Sequence, residues 1–203
     1  MNNKELKKST ETLLYYNTNT SSFIESTQSV QMTEAWNRFI SKLSPASRIL
    51  DFGCGSGRDT KYFLEKGFTI DATDGSSELC LAASKFTGIT VKQVLFQDWK
   101  SEAKYNGIWA CSSILHLTKT ELKKVIGNIK DALLPAGIFY TSFKYGNFEG
   151  ERNGRYFTDL TESSFAELIN EVTGFEIVEE WITSDVRPGR EEEKWLNVIL
   201  RKI

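Results

Sequence analysis

The sequence predicts an α/β protein with a doubly wound, mostly parallel seven-stranded sheet whose last strand is antiparallel. Apolar runs of strand length alternate with amphipathic segments of helical length, and this order favours right-handed crossovers between parallel strands. A glycine-rich turn separates the first run from the helix after it. The last two runs are joined by a connection too short for a helical crossover, which favours an antiparallel hairpin at one side of the sheet.

The elements follow one another without a linker or an internal repeat. The first dozen residues are polar and predict a frayed or solvated helix start. Trp36 and Phe39 then recur at helical spacing in a segment that ends before Pro45. Thr118 and Glu121 form a capping-box signature at the start of a later helix. The predicted helices are 33–43, 59–66, 77–86, 118–134 and 161–173, and the predicted strands are 48–52, 68–73, 90–96, 108–112, 137–143, 175–183 and 195–202.

Composition sets limits on the class of protein. The 203 residues are 40% hydrophobic, enough for one domain with a full core. A formal net charge of −2 gives no electrostatic reason to expect a nucleic-acid partner. Three widely spaced cysteines and one histidine favour neither a disulfide framework nor a metal site. With no signal core and no membrane-length apolar run, we expect a soluble, cytoplasmic protein with no membrane partner.

The stretch from Arg48 to Arg58 is the most informative part of the chain. A buried-strand pattern carries Asp51 and then breaks into Gly53, Gly55 and Gly57 at alternate positions. Glycines leave the main chain open to a ligand, and tight turns often need positive φ. The spacing differs from the Gly-x-Gly-x-x-Gly of nicotinamide-binding folds, and the Gly-Lys-Ser/Thr of phosphate-binding loops is absent.

This pattern resembles the first motif of class I S-adenosylmethionine-dependent methyltransferases, which have a Rossmann-like sheet. The resemblance covers residues 32–203. It implies methyl transfer from S-adenosylmethionine, with S-adenosylhomocysteine as the product. The chain lacks the Pro-Cys nucleophile of cytosine-5 enzymes and the Pro-Pro motif of amino-methylating DNA enzymes, which favours a small-molecule acceptor. An RNA or protein methyltransferase and a non-catalytic cofactor-binding module are the alternatives.

The resemblance also implies a set of cofactor-binding residues beyond the carboxyl ends of the strands. In the family, Asp51 holds the cofactor ammonium through water, Asp74 accepts from both ribose hydroxyls, and Asp98 accepts from the adenine amino group beside Trp99. Asp51 tied to backbone N–H groups and Asp74 as a helix N-cap are the structural alternatives. The expected cofactor-binding residues are Tyr16, Asp51, Gly53, Cys54, Gly55, Ser56, Asp74, Gly75, Ser76, Gln97, Asp98, Trp99 and Ser112.

The acceptor site is less clearly marked. His116, the only histidine, follows the fourth predicted strand and is the candidate catalytic acid or base, with a purely structural histidine as the alternative. Lys144, Tyr145, Arg155 and Arg187 follow later strands and are candidates to bind an anionic or planar acceptor. Ion pairs with neighbouring carboxylates are the other interpretation. Residues 1–32 are expected to be a separate segment that covers the cofactor, and residues 33–203 the methyltransferase domain.

Overall fold

The computed structural model describes the backbone of residues 3–203 and the side chains of residues 10–203. Its helices are α1 (Asn3–Thr18), α2 (Thr20–Thr27), α3 (Thr33–Ile40), α4 (Arg58–Glu65), α5 (Ser77–Thr87), α6 (Lys119–Ala132) and α7 (Glu162–Val172). Its strands are β1 (Arg48–Phe52), β2 (Thr69–Asp74), β3 (Val91–Gln93), β4 (Tyr105–Ala110), β5 (Leu133–Lys144), β6 (Glu149–Arg152), β7 (Arg155–Thr158), β8 (Phe175–Ser184) and β9 (Lys194–Lys202). A 3-10 turn, Ile114–His116, follows β4.

Seven of these strands form one sheet in the order β3-β2-β1-β4-β5-β9-β8. The pairs from β3 to β5 are all parallel, and β9 runs antiparallel to both of its neighbours, β5 and β8. Strand order therefore reverses at β1 and β4, where crevices open beyond the carboxyl ends of parallel strands. The predicted fold class is confirmed, including the antiparallel strand at the end of the chain.

Helices cover both faces of the sheet, because successive side chains of a buried strand point to opposite faces. Ile108 of β4 packs into the core beneath α6 and α7. Its neighbour Trp109 packs into the core on the α3 and α4 side, where it stacks on Tyr140 with a centroid separation of 3.8 Å. Both residues are fully buried, so β4 forms the centre of the domain.

Several elements differ from the prediction. Strands β6 and β7 form a separate hairpin in a segment expected to be a loop, and its turn places Asn153 and Gly154 at positive φ. Asn-Gly is the sequence best suited to such a turn. In addition, α6 ends two residues earlier than predicted, because β5 begins at Leu133 opposite Tyr105.

The N-terminal helix α1 is held against this hairpin. Thr12 is buried, and its hydroxyl oxygen accepts a hydrogen bond from the backbone N–H of Tyr156 at 3.1 Å. The Arg155 guanidinium lies over the ring of Tyr15 at 4.3 Å. The chain start is therefore helical in its described part and packed onto β7 from Thr12 onward. No helix in residues 3–203 combines the length and the apolar character needed to cross a bilayer.

Candidate functional site

A cavity of about 210 Å³ lies at the carboxyl ends of β1, β2, β4 and β5. The glycine turn after β1 forms its floor, and side chains of α1, α2 and β7 cover it. Its walls combine the loop after β3, the segment after β4 and the connection between β8 and β9. The fold therefore joins the predicted cofactor region and the predicted acceptor region in one cavity.

The three glycines of the turn have different neighbours. Gly53 has a φ of +83°, and a side chain there would meet the Cβ atom of Ser113 at 2.5 Å. Gly57 faces α5, where a Cβ atom would lie 2.9 Å from Thr87. Of the three, only Gly55 faces the side chains that cover the cavity. A Cβ atom added there would lie 3.1 Å from the ring of Phe23. Two of the glycines therefore allow close packing of the protein on itself, and Gly55 leaves main chain open towards the cavity.

Asp74 ends β2 and faces the cavity with capacity to bind further donors. One carboxylate oxygen accepts from the backbone N–H of Gly55 and the other from the backbone N–H of Ser76, both at 2.9 Å. A carboxylate offers about four lone-pair positions, so roughly two stay open for a pair of hydroxyl groups. Burial raises the pKa of Asp74, although the backbone N–H groups act in the opposite direction. The N-cap of α5 is Ser76, whose side chain accepts from the backbone N–H of Leu79, and not Asp74, which was the structural alternative for that carboxylate.

A buried carboxylate that sequence reasoning missed supports the turn from below. Asp59 accepts the indole N–H groups of Trp36 and Trp109 at 2.9 Å each, and it pairs with the Arg58 guanidinium at 2.7 Å. Burial alone would raise the pKa of Asp59, but Arg58 and the indole donors hold it below its ordinary value. Arg58 lines the cavity. It directly follows the third glycine, and this position in the sequence could have identified it as a site residue. The network fixes a cation at the cavity floor.

Asp51 lies beneath the turn and does not line the cavity. It is 1% exposed and accepts a hydrogen bond from the Thr60 hydroxyl at 2.5 Å. Burial, followed by the charge of Asp59, raises the pKa of Asp51 to about 8. Its carboxyl group is therefore largely protonated at neutral pH, unless a cation approaches it.

The segment after β3 brings only one of its three predicted residues to the cavity. The backbone N–H groups of Asp98 and Trp99 both bond to the Leu95 carbonyl, so the chain makes a tight turn there. Gln97 lines the cavity and donates to Glu121 at 2.9 Å, whereas Asp98 is exposed. Trp99 was expected beside the cofactor, but it is buried in the core against Phe52, with ring centroids 4.8 Å apart.

Small polar residues line the cavity at the end of β4. Ser112 has a φ of +51°, an uncommon value for a residue with a side chain, and its backbone N–H donates to the Ser142 hydroxyl at 2.9 Å. Cys111 lies beside it with its thiol 3.7 Å from Arg58. Residues held in such conformations occur often at functional sites.

His116 and Tyr16 form a hydrogen-bonded pair on the opposite wall. The Nε2 atom of His116 lies 2.8 Å from the Tyr16 hydroxyl, and its Nδ1 atom lies 2.6 Å from the backbone carbonyl of Tyr156. Burial lowers the pKa of His116 to about 4, and the nearby Arg155 cation acts in the same direction. The imidazole is therefore neutral at physiological pH.

The predicted acceptor-binding residues separate into two groups. Lys144, Arg155 and Arg187 line the cavity, whereas Tyr145 is 40% exposed and donates to Glu162 outside it. Lys144 pairs with Glu193, and Arg187 pairs with Asp185. Ion pairing, the alternative interpretation, therefore applies to these two cations.

The structure thus brings most of the predicted site residues to one cavity. Those that line it are Tyr16, Gly53, Cys54, Gly55, Ser56, Asp74, Gly75, Gln97, Ser112, His116, Lys144, Arg155 and Arg187. Those that do not are Asp51, Ser76, Asp98, Trp99 and Tyr145. Arg58, Phe23 and Glu121 line it without having been assigned to the site from sequence.

Known structures with this sheet include methyltransferases. The 1,6-didemethyltoxoflavin-N1-methyltransferase of Burkholderia thailandensis, solved with its substrate and S-adenosylhomocysteine, matches all of this chain and 91% of that one at a TM-score of 0.78 and 22% identity. The magnesium protoporphyrin IX methyltransferase of Synechocystis, solved with S-adenosylmethionine, matches 97% of each chain at a TM-score of 0.73 and 14% identity. These matches define the class of the fold, that of class I S-adenosylmethionine-dependent methyltransferases.

The sequence comparisons agree with the fold. A stretch of 99 residues is 28% identical to an uncharacterized methyltransferase of Synechocystis and covers 48% of this chain and 47% of that protein. This chain spans about half the length of the curated relatives that it matches. The sequence model of the methyltransferase domain family matches residues 27–177, most of the chain. The chain belongs to this methyltransferase family.

Proposed function

We propose that this chain catalyses the transfer of a methyl group from S-adenosylmethionine to a small-molecule acceptor by direct displacement. One observation carries the proposal. A single cavity is lined by Gly55 and Asp74, which we assign to the cofactor end, and by Tyr16, His116 and Arg155, which we assign to the acceptor end. When bound, the cofactor supplies an electrophilic methyl group, and the cavity keeps two reactants aligned and shielded from water.

The residues at the floor fit the cofactor. Asp74 has lone pairs open for the two ribose hydroxyls, and the main chain of residues 53–56 is accessible beneath Phe23. Gln97, Gly75 and Ser112 complete this end of the cavity, together with Arg58, which is paired with Asp59. Asp51 lies beneath the glycine turn and holds the cofactor ammonium through a bridging water molecule. The N-terminal segment, residues 1–32, acts as a lid, in which Phe23 covers this end and Tyr16 faces the acceptor end.

The acceptor end favours a small, planar and anionic molecule. Aromatic rings of Tyr16, Tyr156 and Phe157 line it together with the cation of Arg155. Two of the structurally similar enzymes act on planar ring systems, a toxoflavin precursor and a magnesium porphyrin. Lys144 and Arg187 extend the basic surface at the outer side of the cavity.

Neither alternative function has a specific observation in its favour. An RNA or protein substrate needs an open surface next to the methyl donor, whereas helices and a hairpin cover this cavity. A non-catalytic module has no need for the Tyr16–His116 pair at the acceptor end. The proposal also includes a cytoplasmic location, which the three free thiols favour.

Two measurements test the proposal in sequence. Calorimetry with S-adenosylhomocysteine should show one site per chain. The protein should then be incubated with methyl-tritiated S-adenosylmethionine and a whole-cell extract, which is divided into small-molecule, RNA and protein fractions. Label in the small-molecule fraction supports the proposal, and label only in RNA or protein supports that alternative. Binding without transfer to any fraction supports a non-catalytic module, and a folded protein that does not bind S-adenosylhomocysteine contradicts the assignment.

A further inference from the structure

We propose that the Tyr16 hydroxyl, backed by His116, receives the proton of the acceptor atom, and that the acceptor is a planar N–H or O–H acid bound beside Arg155. This inference rests on the proposed function and deepens it. It assigns Tyr16 to the acceptor, whereas the sequence indicated a cofactor contact, and it makes His116 the group that acts through Tyr16.

The tautomer of His116 follows from its two neighbours. A backbone carbonyl only accepts hydrogen bonds, so the Nδ1 atom, 2.6 Å from the carbonyl oxygen of Tyr156, carries a hydrogen and donates it. In a neutral imidazole the Nε2 atom then has a lone pair and no hydrogen. The Tyr16 hydroxyl, 2.8 Å from Nε2, is therefore the donor in the second bond. The direction of both hydrogen bonds is fixed.

This arrangement turns the Tyr16 oxygen into an acceptor towards the cavity. Its only hydrogen is committed to His116, and the Arg155 guanidinium faces the same oxygen as a charge and a hydrogen-bond donor. A phenolic oxygen has two lone pairs, so one remains for a bound molecule. The ring is held in place by edge contacts to Phe23 at 5.2 Å and to His116 at 5.5 Å. A bound group that brings a hydrogen atom to this oxygen gains a bond, whereas a thioether or a tertiary amine has no hydrogen to offer.

Arg155 supplies the charge that such an acceptor needs. Four other cationic side chains line the cavity, and each has a carboxylate partner: Arg58 with Asp59, Lys144 and Arg190 with Glu193, and Arg187 with Asp185. Arg155 has none within 4 Å among residues 10–203. Its guanidinium lies between the rings of Tyr15 at 4.3 Å and Phe157 at 5.1 Å, and its buried Nε atom has no hydrogen-bond partner there.

The Arg155 guanidinium and the Tyr16 oxygen lie on one wall of the cavity. The Arg155 guanidinium lies 5.8 Å from the centre of the Tyr16 ring. A planar acid that contacts both groups from the cavity would donate its hydrogen to Tyr16 while its delocalised charge faces Arg155. The aromatic rings around Arg155 offer flat surfaces to such a molecule.

The proton and electron balance of the step is complete with these groups. The acceptor proton moves to the Tyr16 oxygen as the Tyr16 proton moves to Nε2 of His116. The electron pair left on the acceptor atom forms the new bond to the methyl carbon, and the carbon–sulfur pair leaves with the sulfur of the product. His116 then carries one positive charge, in place of the one lost from sulfur. Burial and the Arg155 cation disfavour this imidazolium, so it releases its proton to solvent after product release.

The single histidine allows a direct test of the pair without any acceptor. In protein labelled with ¹⁵N-histidine, long-range proton–nitrogen spectra should show a protonated Nδ1 and an unprotonated Nε2 at pH 7. Tyr16→Phe should shift the Nε2 resonance and leave the Nδ1 resonance close to its original position. An imidazole protonated at Nε2, or an Nε2 resonance that does not shift in Tyr16→Phe, would overturn the proposed pair.

Kinetics separate proton transfer from mere positioning. His116→Asn keeps a donor for the Tyr156 carbonyl but removes the proton acceptor for Tyr16. We expect Tyr16→Phe and His116→Asn each to lower tritium transfer into the small-molecule extract by about 10²–10⁴-fold, with S-adenosylhomocysteine affinity changed less than about 3-fold. The double variant should be about as slow as either single one, because the two groups act as a unit. Single variants that retain wild-type rates would contradict the relay, whereas a wild type without any transfer contradicts the proposed function.

The acceptor class is tested with three planar acids of different shape, lumazine, uric acid and 4-nitrophenol. In the presence of S-adenosylhomocysteine, at least one should bind, and Arg155→Gln should weaken it at least about 10-fold, which is about 1.4 kcal/mol. Arg48→Gln is the matched control, because Arg48 pairs with Asp71 and does not line the cavity, and it should change binding by less than about 3-fold. Failure of all three acids to bind, or equal losses in both variants, would contradict the acceptor class.

Discussion

The Asp74 carboxylate accepts a hydrogen bond of 2.9 Å from the backbone N–H of Gly55, and this bond joins the end of β2 to the turn after β1. The two strands are neighbours in the sheet, so the bond fixes the glycine turn relative to the strand that supplies the carboxylate. A single side chain therefore shapes the turn and keeps part of its own hydrogen-bonding capacity for a ligand.

Asp74→Asn tests the role of this carboxylate in cofactor binding. The variant loses the negative charge and one of two accepting oxygens, and hydrogen bonds to charged groups are worth about 1.5–3 kcal/mol. We expect S-adenosylhomocysteine affinity to fall by about 10–100-fold in calorimetry. Asp71→Asn is the matched control, because Asp71 lies on the same strand but pairs with Arg48 and Lys104 at the surface. Equal affinities in the two variants would contradict the assignment of Asp74.

Gly53→Ala tests whether the turn is glycine-rich for steric reasons. An alanine Cβ atom there would lie 2.5 Å from the Cβ atom of Ser113. Gly67 provides the control, because its φ of +85° nearly equals the +83° of Gly53 but a side chain there meets nothing within 4 Å. We expect Gly67→Ala to lower the free energy of unfolding by about 1–2 kcal/mol in urea, and Gly53→Ala to lower it further. Equal losses would mean that backbone conformation alone requires glycine at Gly53.

The buried Asp51 predicts an unusual pH dependence of stability. Its folded-state pKa is raised from 3.8 to about 8, so between these values the folded state keeps a proton that the unfolded state has lost. The contribution of this group to the free energy of unfolding therefore falls as pH rises through that window. Asp51→Asn cannot ionise, so its stability relative to wild type should rise from pH 5 to pH 8 in urea unfolding. Parallel pH profiles for the two proteins would contradict the raised pKa.

Thr12→Val tests the attachment of α1 to the hairpin. The substitution keeps the shape of the side chain but removes the oxygen that accepts from the backbone N–H of Tyr156. The loss of a buried hydrogen-bond partner costs about 1–3 kcal/mol. We expect faster hydrogen exchange at Tyr156 and faster dissociation of S-adenosylhomocysteine, while the exposed Thr18→Val should change neither. Unchanged exchange in Thr12→Val would show that this bond does not hold the lid.

The sequence contained enough information for the sheet and for the floor of the cavity. Gly55 and Asp74 are marked by their places after strands, and parallel strands bring their carboxyl ends together in every fold of this kind. The Asn153–Gly154 turn of the hairpin also carried a signal, but β6 has no apolar residue and β7 is only four residues long, so neither showed a strand pattern.

Side-chain direction in loops could not be predicted in the same way. Trp99 points into the core because β3 ends at Gln93, three residues before the predicted end of the strand. A tight turn at Leu95 then redirects the chain. Asp59 and its two tryptophan donors come from three separate elements, so only the packed fold brings them together. The Tyr16–His116 bond joins residues 100 positions apart, and no local pattern predicts it.

A crystal structure of the protein with S-adenosylhomocysteine tests the central claim most directly. The account predicts that the ribose hydroxyls bond to the Asp74 carboxylate, that the amino-acid end lies over residues 53–56, and that the sulfur points towards the wall formed by Tyr16 and His116. A nucleoside bound elsewhere on the protein, or bound in the cavity with its ribose away from Asp74, would contradict the account.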